Sequence, residues 1–415
     1  MNRLTQFGLK LARPIAYPFA RTARNLTRRF YPDTAFIAIT GSGGKTSTKQ
    51  LLAPILRAQG TVWSPDYIMN GPEAIAKTVV FLRPKTRYCL QELATARPGM
   101  LAESAAMFQP EVSIVTKVER DHYTAFRGLE NTAREKGTLV EALPAAGVAV
   151  LNRDDPHVWA MRERTDARVI SFGLENRADV RGHSLSSAWP ERFSMTVEYE
   201  ERTVRVQTRL LGEHWAMVVL AALAGAVALG VPLEEAADVL RTVEPAPRRM
   251  SPVETADGIT FIRDDWKAPL WTVPAGLEFL REARAPRTVA VIGTISDFPG
   301  DGGRRYRQVA RKALASADHV FFVGRQSHSS RKVALEADTD RLKAFDTVYE
   351  LDQHLQTFLR SGDLVLIKGS GPADHLERLV LSRTGEIACW HPRCQRIPPC
   401  NECRLQMKPH ASTSS

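Results

Sequence analysis

Ile39-Thr40-Gly41-Ser42-Gly43-Gly44-Lys45-Thr46-Ser47-Thr48 lies between an apolar run, Phe36 to Ile39, and a helical pattern of Gln50, Leu51, Leu52, Ile55 and Leu56. The run predicts a buried strand and the pattern a helix, so the stretch between them is a glycine turn entering a helix N-terminus. Such a turn is an anion site, because free backbone N–H groups and the positive end of the helix dipole face one spot. Gly41, Ser42, Gly43, Gly44 and Ser47 are its candidate phosphate contacts. Lys45 adds a point charge for the terminal phosphates, and the Thr46 hydroxyl is a ligand for Mg²⁺. The general G-x-x-x-x-G-K-T loop would need glycine where this chain has Ile39, so the turn belongs to a narrower T-G-x-x-G-K-T-S-T form.

Outward from the loop, strand-like runs alternate with helical patterns from residue 35 to about 245. Strands are predicted at Phe36–Thr40, Arg87–Glu92, Val112–Thr116, Val148–Asn152 and Val169–Phe172. Helices are predicted at Lys49–Ala58, Ala74–Phe81, Leu101–Phe108 and Thr132–Ala142. This is the pattern of an α/β fold with a doubly wound, mostly parallel sheet. Residues 180–211 read as a short antiparallel insert, followed by an Ala-rich helix from Trp215 to Leu229. Two close prolines in Val243-Glu244-Pro245-Ala246-Pro247 mark a boundary. A smaller, Rossmann-like α/β pattern follows, with strands at Ile259–Arg263, Thr288–Ile292, His319–Val323 and Leu364–Lys368. The expected division is a basic segment 1–34, an ATP-binding domain 35–245, a second domain 246–387 and a Cys-rich tail 388–415.

The formal charge of +10 resides at the ends: residues 1–32 hold seven Lys/Arg and no acid, and residues 389–415 a net +3. The body between is neutral, which argues against a nucleic-acid partner. Leu4, Phe7, Leu11, Ile15 and Phe19 repeat at helical spacing in the basic segment, so it reads either as a helix packed on the body or as an arm for a membrane surface or protein partner. No apolar run reaches the roughly 20 residues of a membrane span, and no export signal is evident. The expected location is therefore cytoplasmic, with reduced cysteines. Cys89, inside a strand, reads as a core residue. Cys389, Cys394, Cys400 and Cys403 offer four soft ligands within fifteen residues. They suit a structural Zn²⁺, with an iron–sulfur cluster or unligated thiols as alternatives.

The chemistry-bearing residues come in a telling order. Glu92 ends a strand, and Lys117-Val118-Glu119-Arg120-Asp121-His122 follows another, placing His122 at the C-terminal sheet edge where open α/β sheets bind ligands. Lys136 lies on the next helix. This succession resembles the Mur ligases, ATP-dependent enzymes that form amide bonds, and most of all the ligase that adds D-Ala-D-Ala to the muramoyl tripeptide. The resemblance spans roughly residues 35–385.

It implies that Gly41 to Ser47 hold ATP, and that Thr46, Glu92, His122 and Lys136 surround two Mg²⁺ ions, with Lys136 carbamylated. It further implies that Arg249 contacts phosphate and Asp264 the ribose. Asn70, Lys267, Lys368 and Ser370 are assigned to the substrates, and Lys45, Lys136, His122 and Arg249 to catalysis. The reaction implied phosphorylates a carboxylate to an acyl phosphate, which an amine then attacks, with water kept out by closure of the second domain.

Departures bear on the substrate. The G-x-H-N-x-x-N motif stands here as Gly212-Glu213-His214-Trp215-Ala216-Met217-Val218, with Trp215 in place to stack on adenine. D-x-Y-N-A-N-P stands as Asp264-Asp265-Trp266-Lys267-Ala268-Pro269. The family's N-terminal domain for the UDP-sugar is not evident. The expectation is a ligase acting on a small amino-acid, peptide or related carboxylate and an amine, and not on UDP-MurNAc-peptide. The competing expectation is a Mur-like ATPase that docks a partner or nucleic acid through its basic ends.

Overall fold

The computed structural model describes residues 19–20, 22–26, 29, 32–65, 70–119, 126–385, 387–392, 394, 396, 399–403 and 405. The chain forms two compact units, the first comprising Met1–Leu185, Ser194–Arg209 and Trp215–Val243, the second Ser186–Phe193, Leu210–His214 and Glu244–Ser415.

The first unit is built on a nine-stranded sheet of β1 (Ala35–Thr40), β2 (Val62–Trp63), β3 (Tyr88–Glu92), β4 (Val112–Val115), β5 (Val148–Asn152), β6 (Arg168–Gly173), β7 (Val180–Ser186), β8 (Ser194–Tyr199) and β9 (Arg202–Gln207), in the order β2-β3-β1-β4-β5-β6-β7-β8-β9. Strands β1 to β6 pair in parallel, and β8 with β9 antiparallel. The expected antiparallel insert is therefore an extension of the main sheet.

Helices α1 (Lys45–Gln59), α2 (Pro72–Val80), α3 (Met100–Phe108), α4 (Leu129–Glu141), α5 (Ala216–Ala228) and α6 (Leu233–Leu240) cover it. The Ala-rich α5 is apolar almost all round, which suits burial between α1, α6 and the sheet. A Cβ on Gly225 would come within 2.7 Å of Ile114 Cδ1, so only glycine lets the helix lie this close to β4. At the N-terminal side, Arg24 is 1% exposed; it stacks 3.5 Å from the Phe36 ring centre, donates to the Phe108 and Gln109 carbonyls, and pairs with Glu111. Residues 22–26 are thus helical and packed on this unit.

The second unit has a six-stranded sheet of β10 (Ser251–Glu254), β11 (Thr260–Asp264), β12 (Arg287–Ile292), β13 (His319–Val323), β14 (Leu342–Phe345) and β15 (Asp363–Lys368), in the order β10-β11-β15-β12-β13-β14. Only β10 runs antiparallel to its neighbour. Its core joins Ile259, Phe261, Val291, Phe321, Val365 and Ile367. The predicted strands fall within a residue or two of those observed. Of the strands that escaped prediction, β2, β10 and β14 lie at sheet edges, where one-sided burial leaves a short or mixed sequence, and Pro252 is tolerated in β10 for the same reason. The other, β7, which the expected antiparallel insert did not include as a strand, is interior and pairs in parallel with β6.

Candidate active site

The first unit's sheet places three chain turns side by side. Neighbouring β1 and β4 send their chains to opposite sides of the sheet, which makes the crevice beyond their C-terminal ends the expected ligand site. The turn after β1 is the glycine loop. Gly41 has φ +146°, and a Cβ there would sit 1.9 Å from Thr116 Oγ1, so the loop passes the end of β4 at backbone contact. Thr116 Oγ1 donates to the Gly43 carbonyl at 2.5 Å, while Ser42 N donates to Lys117 O at 2.8 Å. Ser42 Oγ also accepts from Glu119 N at 2.9 Å. From the other side, Asn152 donates to Thr116 O at 2.7 Å, and Asp155 accepts from Val118 N at 2.7 Å.

Helix α1 begins at Lys45 with no side-chain cap and no acid in its first turn. Its N-terminus therefore keeps its donors and its dipole available to an anion. Lys45 Nζ curls back to the Gly41 carbonyl at 2.7 Å, holding the ammonium over the cradle. Thr46 Oγ1 donates to Glu92 Oε2 at 2.7 Å, and Asn70 Nδ2 to Glu92 Oε1 at 3.2 Å. The structure thus joins three predicted residues from separate segments around one buried carboxylate. Hard oxygen donors so close together fit Mg²⁺.

Lys136 is 2% exposed on α4, a helix packed against β1 and β4, so it is no solvated lysine. Its neighbour Glu135 accepts from Thr95 Oγ1, Gly99 N and Leu101 N at 3.0, 2.8 and 2.9 Å, which caps α3 and fixes the loop after β3. Sequence reasoning missed Glu135, although a paired Glu-Lys on an otherwise amphipathic helix was a signal. His122 lies outside the described residues.

In the second unit, strand register brings two predicted residues together. Asp264 and Lys368 are partners across β11 and β15, and Lys368 Nζ donates to Asp264 Oδ2 at 2.5 Å and to the Lys267 carbonyl at 3.4 Å. Lys267 itself points its side chain to solvent. Asp374 ties the neighbouring turns together: it accepts from Thr294 N, Thr294 Oγ1 and Ser370 N at 2.7, 2.6 and 2.8 Å. Burial raises its carboxyl pKa even though these donors oppose the shift. A Cβ on Gly293 or Gly369 would fall within 2.5 or 2.8 Å of Asp374 Oδ2, which accounts for both glycines.

Arg248, 5% exposed, donates to the Asp265 carbonyl at 2.9 Å, whereas Arg249 is half-buried. His214 is folded against Gly212, where a Cβ would meet the ring at 2.6 Å, and Trp215 is buried at 6% exposure. The expectation of an adenine-stacking indole is corrected by that burial. Cys89 is fully buried, and the four tail cysteines are free thiols. Among the described residues, no helix is long and apolar enough to cross a membrane.

Residues 39–226 match the Mur ligase middle domain, and residues 248–371 the Mur ligase glutamate ligase domain. The UDP-N-acetylmuramoyl-tripeptide–D-alanyl-D-alanine ligase of Mycobacterium tuberculosis (strain CDC 1551 / Oshkosh) is 30% identical over 361 residues, covering 81% of this chain and 70% of the relative. The Escherichia coli K12 protein of the same name is 26% identical over 295 residues, or 71% of this chain and 65% of the relative. MurF from Acinetobacter baumannii superposes with a TM-score of 0.79 at 24% identity, covering 89% of this chain and 80% of that one. MurF ligase from Thermotoga maritima in complex with ADP gives 0.73 at 18% identity, covering 89% and 82%.

Proposed function

The chain belongs to the Mur ligase family, and from that premise we propose that it joins the peptide carboxylate of UDP-N-acetylmuramoyl-tripeptide, or of a close analogue, to the amine of D-alanyl-D-alanine. Members of the family are ATP-dependent acid–amino-acid ligases. The observation that supports the substrate assignment is the 30% identity over 81% of the chain with a relative of that name. The proposal departs from the expectation that UDP-MurNAc-peptide is not the substrate, and the named relative is what favours it. That expectation leaned on the family's N-terminal UDP-sugar domain not being evident and on Lys267; the Lys267 carbonyl serves Lys368 while the residue is exposed, so it says less about the substrate than its motif position suggested.

The reaction proposed is the acyl-phosphate route, and the phosphate loop of the first unit supports it. The carboxylate attacks the γ-phosphorus of ATP, the bond to the β–γ bridging oxygen breaks, and ADP leaves an acyl phosphate. The amine then attacks the acyl carbon, phosphate departs with the C–O electron pair, and the amine gives up a proton. Lys45, held over the loop, offsets charge on the transferring group, where positioning and electrostatics supply most of the acceleration. Thr46 and Glu92 would hold Mg²⁺, which when bound neutralises phosphate charge. We assign His122 and Lys136, the latter carbamylated, to the same metal region, Arg249 and Asp264 to the nucleotide, and Asn70, Lys368 and Ser370 to the reacting substrates.

The test is ADP release by the full chain with UDP-MurNAc-tripeptide and D-Ala-D-Ala, each omitted in turn. Release should need both and fall about 100-fold or more in Lys45→Ala. Release driven by small acids and amines but not by the muramoyl tripeptide would overturn the substrate assignment. Release that survives Lys45→Ala would overturn the site.

A further inference from the structure

Cys389, Cys394, Cys400 and Cys403 line one small cavity together with His375 and Arg378. Chain proximity alone does not produce this, since His375 precedes Cys389 by fourteen residues and belongs to the turn after the Gly371–Asp374 helix. The tail is pinned in place by that turn. Arg378 donates to the carbonyls of Cys389 and His391 at 3.4 and 3.3 Å, and Cys400 N donates to Glu377 Oε1 at 2.5 Å. Cys400 and Cys403 bracket a single 3₁₀ turn, which brings the second thiol round to the first.

His375 is 3% exposed and has φ +49°. Its Nδ1 lies 3.5 Å from Cys400 Sγ, and its Nε2 makes no hydrogen bond among the described residues. Glu377 is within 4.8 Å of both groups, yet its oxygens are committed to Cys400 N and to Arg263 at 3.2 Å, so it is a tether and not a ligand.

We propose that Cys389, Cys394, Cys400 and Cys403 bind one zinc-class divalent ion as thiolates, with His375 donating Nδ1–H to the Cys400 sulfur. Four soft ligands on one cavity suit tetrahedral Zn²⁺, and metal binding supplies the order that a tail with almost no core cannot supply itself. The ion displaces the thiol protons, and the resulting centre carries two net negative charges. Arg378 and Arg396 line the same cavity, and their positive charges match that of the centre. The imidazole N–H adds the outer hydrogen bond that such ligands commonly have. The site goes beyond the ligase assignment and does not depend on it.

The test is elemental analysis of the full chain purified under reducing conditions. About one zinc per chain is expected, released by a thiol-reactive mercurial, with Co²⁺ substitution giving sulfur-to-metal charge-transfer absorption. Cys400→Ser/Cys403→Ser should lose the ion. Because that variant also risks the tail's fold, His375→Ala is the second probe: it should keep the stoichiometry but weaken retention against a chelator by about tenfold or more. Chain without zinc that takes up no Co²⁺, iron with sulfide in place of zinc, or zinc retained in the double variant would each overturn the proposal. ADP formation is not the readout, so failure here leaves the ligase assignment standing.

Discussion

Gly41→Ala should damage the phosphate loop by a mechanism that a double-mutant cycle isolates. The new Cβ would lie 1.9 Å from Thr116 Oγ1 and 3.2 Å from Lys117 N, at a residue with φ +146°. The backbone region alone costs about 1–3 kcal/mol for a side-chain-bearing residue. The hydroxyl must also swing away, giving up the bond its one proton makes to Gly43 O at 2.5 Å, with Thr40 O at 3.2 Å the weaker acceptor, a loss of about 0.5–1.5 kcal/mol. The sum is about 2–4 kcal/mol. For a unit of this size that lowers the melting temperature by about 5–15 °C. Urea unfolding followed by tryptophan fluorescence measures the loss. Thr116→Ala removes the colliding oxygen, so Gly41→Ala in that background should cost only the backbone term. The two substitutions should therefore couple favourably by about 1 kcal/mol. Strict additivity, or a Gly41→Ala variant within about 0.5 kcal/mol of the parent, would refute the reasoning.

Three further outcomes are expected. Burial opposes the ionised form of Glu377, but the polar approach of His375 at 3.9 Å, the hydrogen bond from Cys400 N and the charges of Arg248 and Arg263 outweigh it and hold the carboxyl down at about 2, against an ordinary 4.5. A depressed folded-state pKa contributes stability above 4.5 that is lost as pH falls toward 2, here about 3 kcal/mol. Glu377→Gln should flatten the acid limb of stability measured by urea melts, and superimposable limbs would count against the assignment. Glu92→Gln should leave the fold near parental stability but raise the Mg²⁺ needed for half-maximal ADP formation by about tenfold or more; an unchanged Mg²⁺ dependence would remove Glu92 from the metal set. Arg24→Ala leaves the Phe108 and Gln109 carbonyls without their buried donor and should cost about 2–4 kcal/mol, read as a lower melting temperature. A loss below about 0.5 kcal/mol would mean the residue is not an anchor.

What was legible in the sequence, and what was not, divides along a physical line. The glycine loop, Glu92 and the strand ends around them could be read because each advertises itself locally: a turn between a strand and a helix, or a polar residue closing an apolar run. Their convergence also follows from topology, since parallel strands present their C-terminal ends together. The residues that escaped notice are those that hold the turns in place. Asp374 joins Thr294 across eighty positions of chain, and Glu135 reaches Thr95 across forty. No spacing rule encodes such a bond.

The adjacent arginines show the same division at one-residue resolution. Motif order selects Arg249 for the proposed phosphate contact, and the surroundings of Arg248 differ from those of its neighbour. Arg248 has φ +65°, sits at 5% exposure and spends its guanidinium on Asp265, with Gly371 leaving room for it because a Cβ there would come within 2.4 Å. A side chain so placed supports β11, and we propose that its half-buried neighbour Arg249 is the one that meets the nucleotide. The test lies in the kinetics. Arg248→Lys should fail chiefly in stability, because an ammonium cannot reproduce the guanidinium's contacts with both the Asp265 carbonyl and carboxylate. Arg249→Lys should keep the fold and raise the KM for ATP. If both substitutions gave the same kinetic defect at unchanged stability, the division of labour drawn from their burial would be wrong.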